Sequence, residues 1–235
     1  MTEARRRIPL DGAWNVRDLG GYPTADGSST PYGRFFRGDD ITALEEPDKE
    51  ALYRAGIRTI VDLRTPGECE RRPNGFEGWR DVQVLHCSLL GADLDGFTGF
   101  LRSLGENYCE MIRRDSAYYV DLFALLAEAV GRGGVLFHCS MGKDRTGVTA
   151  ALLLALAGVA DVDIIADYAL TDIYTAEKVR RILANFPDIE DDSMFRARAE
   201  SMEQFTACLR ETYGGARGYL TGIGVPAATL DAIWG

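Results

Sequence analysis

The sequence has no excess of basic residues, no apolar run long enough to cross a membrane and no paired cysteine motif. Its 26 Lys and Arg residues are outnumbered by 36 Asp and Glu residues, and the net charge is −10. General nucleic-acid binding needs a basic surface, so this charge argues against it. It argues weakly against residence on an anionic membrane as well. The apolar run at residues 148–160 is shorter than a membrane span and is typical of a core helix.

The cysteines and the N-terminus indicate a reduced setting. Five cysteines, an odd number without metal-type spacing, do not form the framework of a disulfide-rich scaffold. The N-terminal arginines are followed by Ile-Pro-Leu-Asp instead of the apolar core of a signal peptide. We therefore expect a cytoplasmic protein without stable membrane insertion, because a reducing compartment suits a working thiolate. Secretion without a recognisable signal stays open as an alternative.

The pattern of elements predicts one α/β domain spanning residues 1–235, since no linker, repeat or low-complexity tract divides the chain. Strands are predicted at residues 34–37, 59–64, 82–86 and 134–137. Helices are predicted at residues 47–55, 117–130, 148–157, 161–171 and 176–184, with a further helix capped by Ser193 and two short helices at the end. Strands come early and helices dominate late. This order favours a central, mainly parallel sheet flanked by helices, with a helix-rich C-terminal part.

The most informative stretch is His-Cys-Ser-Met-Gly-Lys-Asp-Arg-Thr-Gly at residues 138–147. It lies between a short apolar strand and an apolar helix, so the cysteine comes where the strand ends and the arginine where the helix begins. A loop in that place turns backbone N–H groups inward beside the positive end of the helix dipole. We therefore predict an anion site in which the thiolate form of Cys139 is favoured.

Each neighbour of Cys139 has a chemical reason to be there. Arg145 carries a planar fork that binds two oxygens of a phosphate at once. Gly142 allows a close backbone approach or a positive φ. We expect Thr146 to donate its hydroxyl to the sulfur and His138 to brace the loop through its ring nitrogens.

The spacing Cys-x5-Arg followed by Thr-Gly resembles the signature loop of cysteine-dependent phosphatases. With its Lys-Asp pair, the loop is similar to that of bacterial atypical protein-tyrosine/serine phosphatases of the tyrosine phosphatase B and lipid-phosphatase type. The strings at residues 15–22, 62–64 and 167–171 resemble the same family, so the resemblance covers most of the chain. It implies a cysteine-dependent phosphatase-like fold and hydrolysis of phosphomonoesters through a phosphocysteine on Cys139, without a metal or cofactor.

The resemblance also implies roles for single residues. The phosphate-binding set would be Ser140, Met141, Gly142, Lys143, Asp144 and Arg145. Met141 departs from the small residue expected after Ser140. Asp144 is the first choice for the general acid, Asp62 the second and Asp95 the third. Arg64 is expected near the site, or with Asp62 in a salt bridge that closes the strand end. Lys143 would place a second charge at the loop mouth, or would balance Asp144 in solvent.

Several alternatives stay open. The sequence does not rank phosphotyrosine, phosphoserine/threonine and phosphoinositide substrates. It does not indicate the oligomeric state either. A rhodanese-like sulfurtransferase and a non-catalytic phosphate-binding module are rival functions. Residues 88–114 resemble a mobile lid or a helical connection. Arg17 and Asp18 form either a local ion pair or a border of the active site, and His86 is expected to be structural.

Overall fold

The computed structural model describes residues 6–89, 103–186, 188 and 191–235. At its centre lies a five-stranded sheet with the order β1-β2-β5-β3-β4. The strands are β1 (Arg17–Asp18), β2 (Phe35–Gly38), β3 (Ile57–Asp62), β4 (Gln83–His86) and β5 (Gly134–His138). Only the pair β1 and β2 is antiparallel, and the other neighbours run parallel. The predicted mainly parallel α/β sheet is confirmed.

Helices surround this sheet and dominate the second half of the described chain. They are α1 (Glu46–Arg54), α2 (Pro66–Arg71), α3 (Leu104–Arg114), α4 (Ser116–Ala129), α5 (Asp144–Leu156), α6 (Asp161–Asn185), α7 (Ala199–Tyr213), α8 (Ala216–Gly222) and α9 (Ala227–Trp234). Within the described ranges, no helix combines the length and the apolar character that a membrane span requires.

Strand residues alternate between the two faces of the sheet, as the pleat requires. Phe35, Val61 and Phe137 belong to the large core that also contains the buried residues of α4, α5 and α7. Phe36 and Ile60 point to a smaller core on the other side, which α1 covers. Helix α5 is buried along most of its length, as its apolar sequence predicts.

The parallel register brings three chain segments to one edge of the sheet. His138 at the end of β5 pairs with Asp62 on one side and with Gly38 on the other. The segments that leave these three strands therefore emerge together at the carboxyl ends, where ligands gather in open α/β sheets. Cys139 is the first residue beyond β5 and lies at this edge.

Some predicted elements differ from the structure. Helix α6 is continuous over Asp161–Asn185, because no Gly or Pro interrupts the stretch between the two predicted helices. Ser193 begins a short 3-10 turn, and α7 starts only at Ala199. The sequence analysis missed β1, α2 and α3, which are short or lie within stretches interpreted as turns or as a lid.

Part of the predicted lid is an ordinary helix. Helix α3 (Leu104–Arg114) begins at a capping box formed by Ser103 and Glu106. Residues 90–102, which include the rest of the predicted lid and Asp95, lie outside the described part of the chain.

A disulfide joins Cys109 on α3 to Cys208 on α7. Cys69, Cys87 and Cys139 are free thiols. Spacing did not reveal this pair, because its members are 99 residues apart and meet only through the packing of the two helices.

Candidate active site

The loop between β5 and α5 is here called the signature loop (residues 139–145). Side chains from other elements hold it by donating hydrogen bonds to its carbonyl groups. The carbonyl oxygen of Ser140 accepts a hydrogen bond of 2.9 Å from Nζ of Lys178. The carbonyl oxygen of Gly142 accepts one of 2.8 Å from Arg37 and one of 3.2 Å from Asn15. Because the C=O and N–H of a trans peptide unit point in opposite directions, the N–H groups of Met141 and Lys143 are turned away from these partners.

The N–H groups of Ser140, Met141 and Gly142 make no hydrogen bond to any described group. Helix α5 begins directly afterwards, at Asp144, and adds the positive end of its dipole. Oriented N–H donors at a helix N-terminus form an anion site. The anion site predicted from the sequence therefore has its geometric basis in this loop.

Gly142 is required by the shape of the loop. Its φ is +66°, a left-handed conformation that favours glycine. A Cβ atom at this position would lie 2.7 Å from the carbonyl oxygen of Gly38 and 2.8 Å from the backbone nitrogen of Asp39. The loop therefore passes too close to the end of β2 for any side chain.

Arg145 is oriented by a residue that the sequence analysis missed. Its NH1 and NH2 atoms lie 2.7 Å and 3.0 Å from the two carboxylate oxygens of Glu68. The hydroxyl of Ser140 donates to the same carboxylate at 2.6 Å. Burial lowers the pKa of Arg145, but the charges of Cys139 and Glu68 outweigh burial and hold this pKa above its ordinary value. The guanidinium is thus a fixed cation beside Cys139.

The sequence does contain a signal for Glu68. Thr65 and Glu68 form a capping box at the start of α2, with the Thr65 side chain bound to the Glu68 N–H. Burial raises the pKa of Glu68, but its hydrogen bonds to Arg145 and Ser140 prevail and hold this pKa well below the usual range. Glu68 is therefore an anion at neutral pH.

Asp144 lies in the first turn of α5, with its side chain 42% exposed. The hydroxyl of Tyr108 donates a hydrogen bond of 2.7 Å to its Oδ1 atom. The Tyr108 hydroxyl also lies 2.7 Å from the hydroxyl of Tyr168, so a buried tyrosine pair supports the carboxylate. Nζ of Lys143 is 3.4 Å from the same Oδ1 atom. The sequence analysis did not identify this role for Tyr108.

Asp62 is placed differently. It is fully buried, and Arg64 binds both of its oxygens, with distances of 2.9 Å and 2.6 Å. Burial raises the pKa of Asp62, but the hydrogen bonds from Arg64 outweigh it and lower this pKa to about 2. A carboxyl group in that state holds no proton at neutral pH. The geometry therefore disfavours the second-ranked general acid.

His138 braces the loop, as its position predicts. It is fully buried, and its Nε2 lies 3.2 Å from the amide nitrogen of Asn74. Because an amide nitrogen only donates, Nε2 accepts, and Nδ1–H donates to the carbonyl oxygen of Cys139 at 3.3 Å. Burial lowers the pKa of His138, so the ring is neutral at pH 7.

One expectation for the signature loop is wrong in the structure. The Thr146 hydroxyl is buried and has no hydrogen-bond partner among the described residues, so it does not bind the sulfur of Cys139. Thr146 already belongs to the first turn of α5, and its side chain is enclosed. The side chain of Lys143 is 3% exposed, and its Nζ atom lies near the carboxylate of Asp144.

Arg17 takes part in a buried network and does not pair with Asp18. Its Nε atom lies 2.8 Å from Asp167, and Arg37 binds the other oxygen of Asp167 at 2.5 Å. The hydroxyl of Tyr22 donates to Asp167 as well. Asp18 instead accepts hydrogen bonds from the N–H groups of Gly20 and Gly33. Arg37 also holds the signature loop, so the network connects the β1–β2 hairpin and α6 to the site.

One group of residues resembles a metal site. Ligand atoms of Asp62, Cys69 and His86 lie within 4.8 Å of one another. Both oxygens of Asp62 are already bound by Arg64, whose charge would repel a cation. Nε2 of His86 lies 3.3 Å from a carboxylate oxygen of Glu77 at the surface.

Several known proteins resemble this chain. A model of the tyrosine phosphatase family matches residues 8–234. The chain is 34% identical over 225 residues to a protein from Nostoc commune named tyrosine-protein phosphatase, covering 90% of this chain and 76% of that protein. It is 28% identical, over an alignment 272 positions long, to the triple specificity protein phosphatase PtpB of Mycobacterium tuberculosis, covering 96% of this chain and 97% of that protein. The crystal structure of TpbA from P. aeruginosa matches with a TM-score of 0.43 and 15% identity, covering 94% and 98% of the two chains. The chain belongs to the tyrosine phosphatase family.

Proposed function

We propose that this protein hydrolyses phosphomonoesters, phosphotyrosine foremost, through a phosphocysteine intermediate on Cys139. The observation that carries the proposal is the signature loop. Its N–H groups at Ser140, Met141 and Gly142 are left for an anion, and the guanidinium of Arg145 is held beside the Cys139 thiol. Such donors stabilise the charge on the equatorial oxygens of a phosphoryl group during transfer.

The reaction runs in two steps. The thiolate of Cys139 attacks phosphorus, the bond between phosphorus and the ester oxygen breaks, and the leaving oxygen takes a proton from Asp144. In the second step Asp144 accepts a proton from water, and the resulting hydroxide attacks phosphorus. The phosphorus–sulfur bond breaks, phosphate leaves, and the thiolate is restored. Atoms and charge balance without a metal or cofactor.

We assign the general acid to Asp144 and a positioning role to Asp62. Asp144 is partly exposed at the signature loop and accepts a hydrogen bond from the neutral Tyr108 hydroxyl. Asp62 is enclosed and committed to Arg64, whose guanidinium it orients. Asp95 remains the third candidate and lies outside the described residues.

The substrate is a phosphorylated protein in this proposal. The names of the Nostoc commune and Mycobacterium tuberculosis relatives support a tyrosine phosphatase of broad specificity. Phosphoserine/threonine and phosphoinositide substrates are secondary candidates. The buried position of the Lys143 side chain weakens the argument for phosphoinositides that the sequence alone offered.

Two rival functions have distinct tests. A rhodanese-like sulfurtransferase would move sulfur from thiosulfate to cyanide, whereas an arginine at the helix start, Arg145, preceded by Asp144 suits phosphate transfer. A non-catalytic binding module would bind a phosphopeptide without releasing phosphate, yet Cys139, Arg145 and Asp144 are all present.

The experiment compares four assays on wild-type protein. Phosphate release from phosphotyrosine, phosphoserine and phosphothreonine peptides is measured without added metal, alongside thiocyanate formation from thiosulfate and cyanide. We expect phosphate release, fastest from phosphotyrosine, and no thiocyanate. Thiocyanate formation without phosphate release would contradict the proposal.

A further inference from the structure

A cleft of about 330 Å³ opens beside the signature loop, along Ser140 and Met141. Helix α2 and helix α6 form its other walls, through Arg71, Arg72 and Lys178 among others. Ser140 and Met141, two phosphate-binding residues of the proposed site, belong to its lining, so the cleft borders the signature loop.

The carboxylates of the cleft are already paired. Glu68 is bound by Arg145, and Asp40 lies 2.6 Å from NH1 of Arg72. The charge of Arg72 is thereby shared with Asp40, although its side chain is 59% exposed. A negative ligand entering the cleft would therefore meet no uncompensated carboxylate there.

Two of the remaining cations of the cleft are paired too. Lys178 lies 2.8 Å from a carboxylate oxygen of Asp39, and Arg64 is bound to Asp62. Arg71 is different, because it is exposed and makes no ion pair or hydrogen bond within residues 6–89, 103–186, 188 and 191–235. It is the surplus positive charge of this cleft in a protein whose net charge is −10.

Arg71 is also well placed relative to the chemistry. It follows Glu68 by three residues on α2, and residues at that spacing are neighbours on one face of a helix. Glu68 in turn binds Arg145 directly. Met141 and Ile182 add an apolar part to the lining, against which the methylene groups of a side chain can pack.

We propose that this cleft binds a second anionic group of the substrate, namely an acidic side chain next to the phosphotyrosine of a phosphopeptide, with Arg71 as its main ligand and Arg72 beside it. The inference rests on the proposed function, since it names the sequence preference of the same site. Lys143, the cation expected for this purpose from the sequence, is enclosed, whereas Arg71 is accessible.

The test compares two phosphotyrosine peptides that differ only in carrying glutamates or glutamines beside the phosphotyrosine. For wild type at low ionic strength, we expect kcat/KM for the acidic peptide to exceed that for the neutral one roughly threefold to tenfold. The ratio should fall to about one in Arg71→Ala, below one in Arg71→Glu, and toward one in wild type at high salt. Arg54→Ala, which removes an exposed arginine from α1, is the matched control and should keep the wild-type ratio.

The outcomes separate this inference from the proposed function. If wild type hydrolyses both peptides and Arg71→Ala leaves the ratio of their kcat/KM values unchanged, the inference is overturned and the proposed function stands. If wild type releases no phosphate, the proposed function fails. The affinities of the two peptides for Cys139→Ser, with and without Arg71→Ala, then show whether the cleft binds the acidic side chain. Equal affinities there would overturn it. The proposal would also be contradicted if Arg71→Ala changed the hydrolysis of an inositol bisphosphate but not that of the peptides.

Discussion

The carboxylate of Glu68 receives two hydrogen bonds from the guanidinium of Arg145, with distances of 2.7 Å and 3.0 Å. The pair lies at the border of the signature loop and is anchored further by the hydroxyl of Ser140. An arginine side chain has many rotamers, and holding it before the substrate arrives avoids an ordering cost at the moment of reaction. Glu68 thus prepares the phosphate-binding fork.

Glu68→Gln should lower phosphatase kcat/KM by roughly tenfold, which corresponds to about 1.4 kcal/mol of transition-state stabilisation. The neutral amide accepts only one strong hydrogen bond from the guanidinium, so Arg145 is less well fixed. Glu70→Gln on the same helix is the control, because Glu70 is exposed and should leave the rate unchanged. Equal activities of the two variants would show that Arg145 needs no such partner.

Asp144→Asn should reduce kcat about 10²–10⁴-fold for an alkyl phosphate, whose leaving group needs a proton. The loss should be much smaller for a nitrophenyl phosphate, because its leaving group is a stable anion. The measurement is kcat for both substrates in wild type and variant. A loss below tenfold for the alkyl phosphate would remove Asp144 from the role of general acid and turn attention to Asp95.

Tyr108→Phe should slow turnover of an alkyl phosphate roughly threefold to tenfold and shift the pH profile of kcat, since Asp144 loses the hydrogen bond from the Tyr108 hydroxyl. Tyr119→Phe is a close control, because Tyr119 is equally buried and its hydroxyl has no partner among the described residues. This control should keep the wild-type profile. Identical profiles for all three proteins would mean that Tyr108 only fills space.

The buried Asp62 predicts a specific loss of stability in acid. Its pKa is about 2 in the folded protein against 3.8 ordinarily, so the unfolded chain binds the proton more tightly. The stabilisation is therefore complete above about pH 5 and is lost as pH falls through 4 toward 2, amounting to roughly 2 kcal/mol. In urea unfolding, the difference in free energy of unfolding between wild type and Asp62→Asn should shrink by this amount as the pH falls through that range. A difference independent of pH would contradict the pairing with Arg64.

Local patterns in the sequence were sufficient for the parallel sheet and for the signature loop. The apolar runs before Cys139 and after Arg145 are typical of a buried strand and a buried helix, and the structure contains both. Gly142 was identified for the correct reason, since a tight loop needs its positive φ. In these cases sequence neighbours determine the geometry.

The partners that complete the site could not be predicted in this way. Glu68 meets Arg145 across 77 residues, Tyr108 meets Asp144 across 36, and Arg17 meets Asp167 across 150. Such pairs depend on strand register and helix packing, which leave no periodic trace. The capping box at Thr65 was readable, but it indicated only a helix start and not the second function of its glutamate.

The central claim is that Cys139 forms a covalent phosphoenzyme, and rapid acid quenching tests it most directly. Wild type mixed with a phosphotyrosine peptide should yield a protein heavier by one phosphoryl group, and mass spectrometry after digestion should place that group on the peptide containing Cys139. Cys139→Ser should show neither the phosphoryl group nor sustained phosphate release. Phosphate release by Cys139→Ser at a rate close to that of wild type would contradict the account.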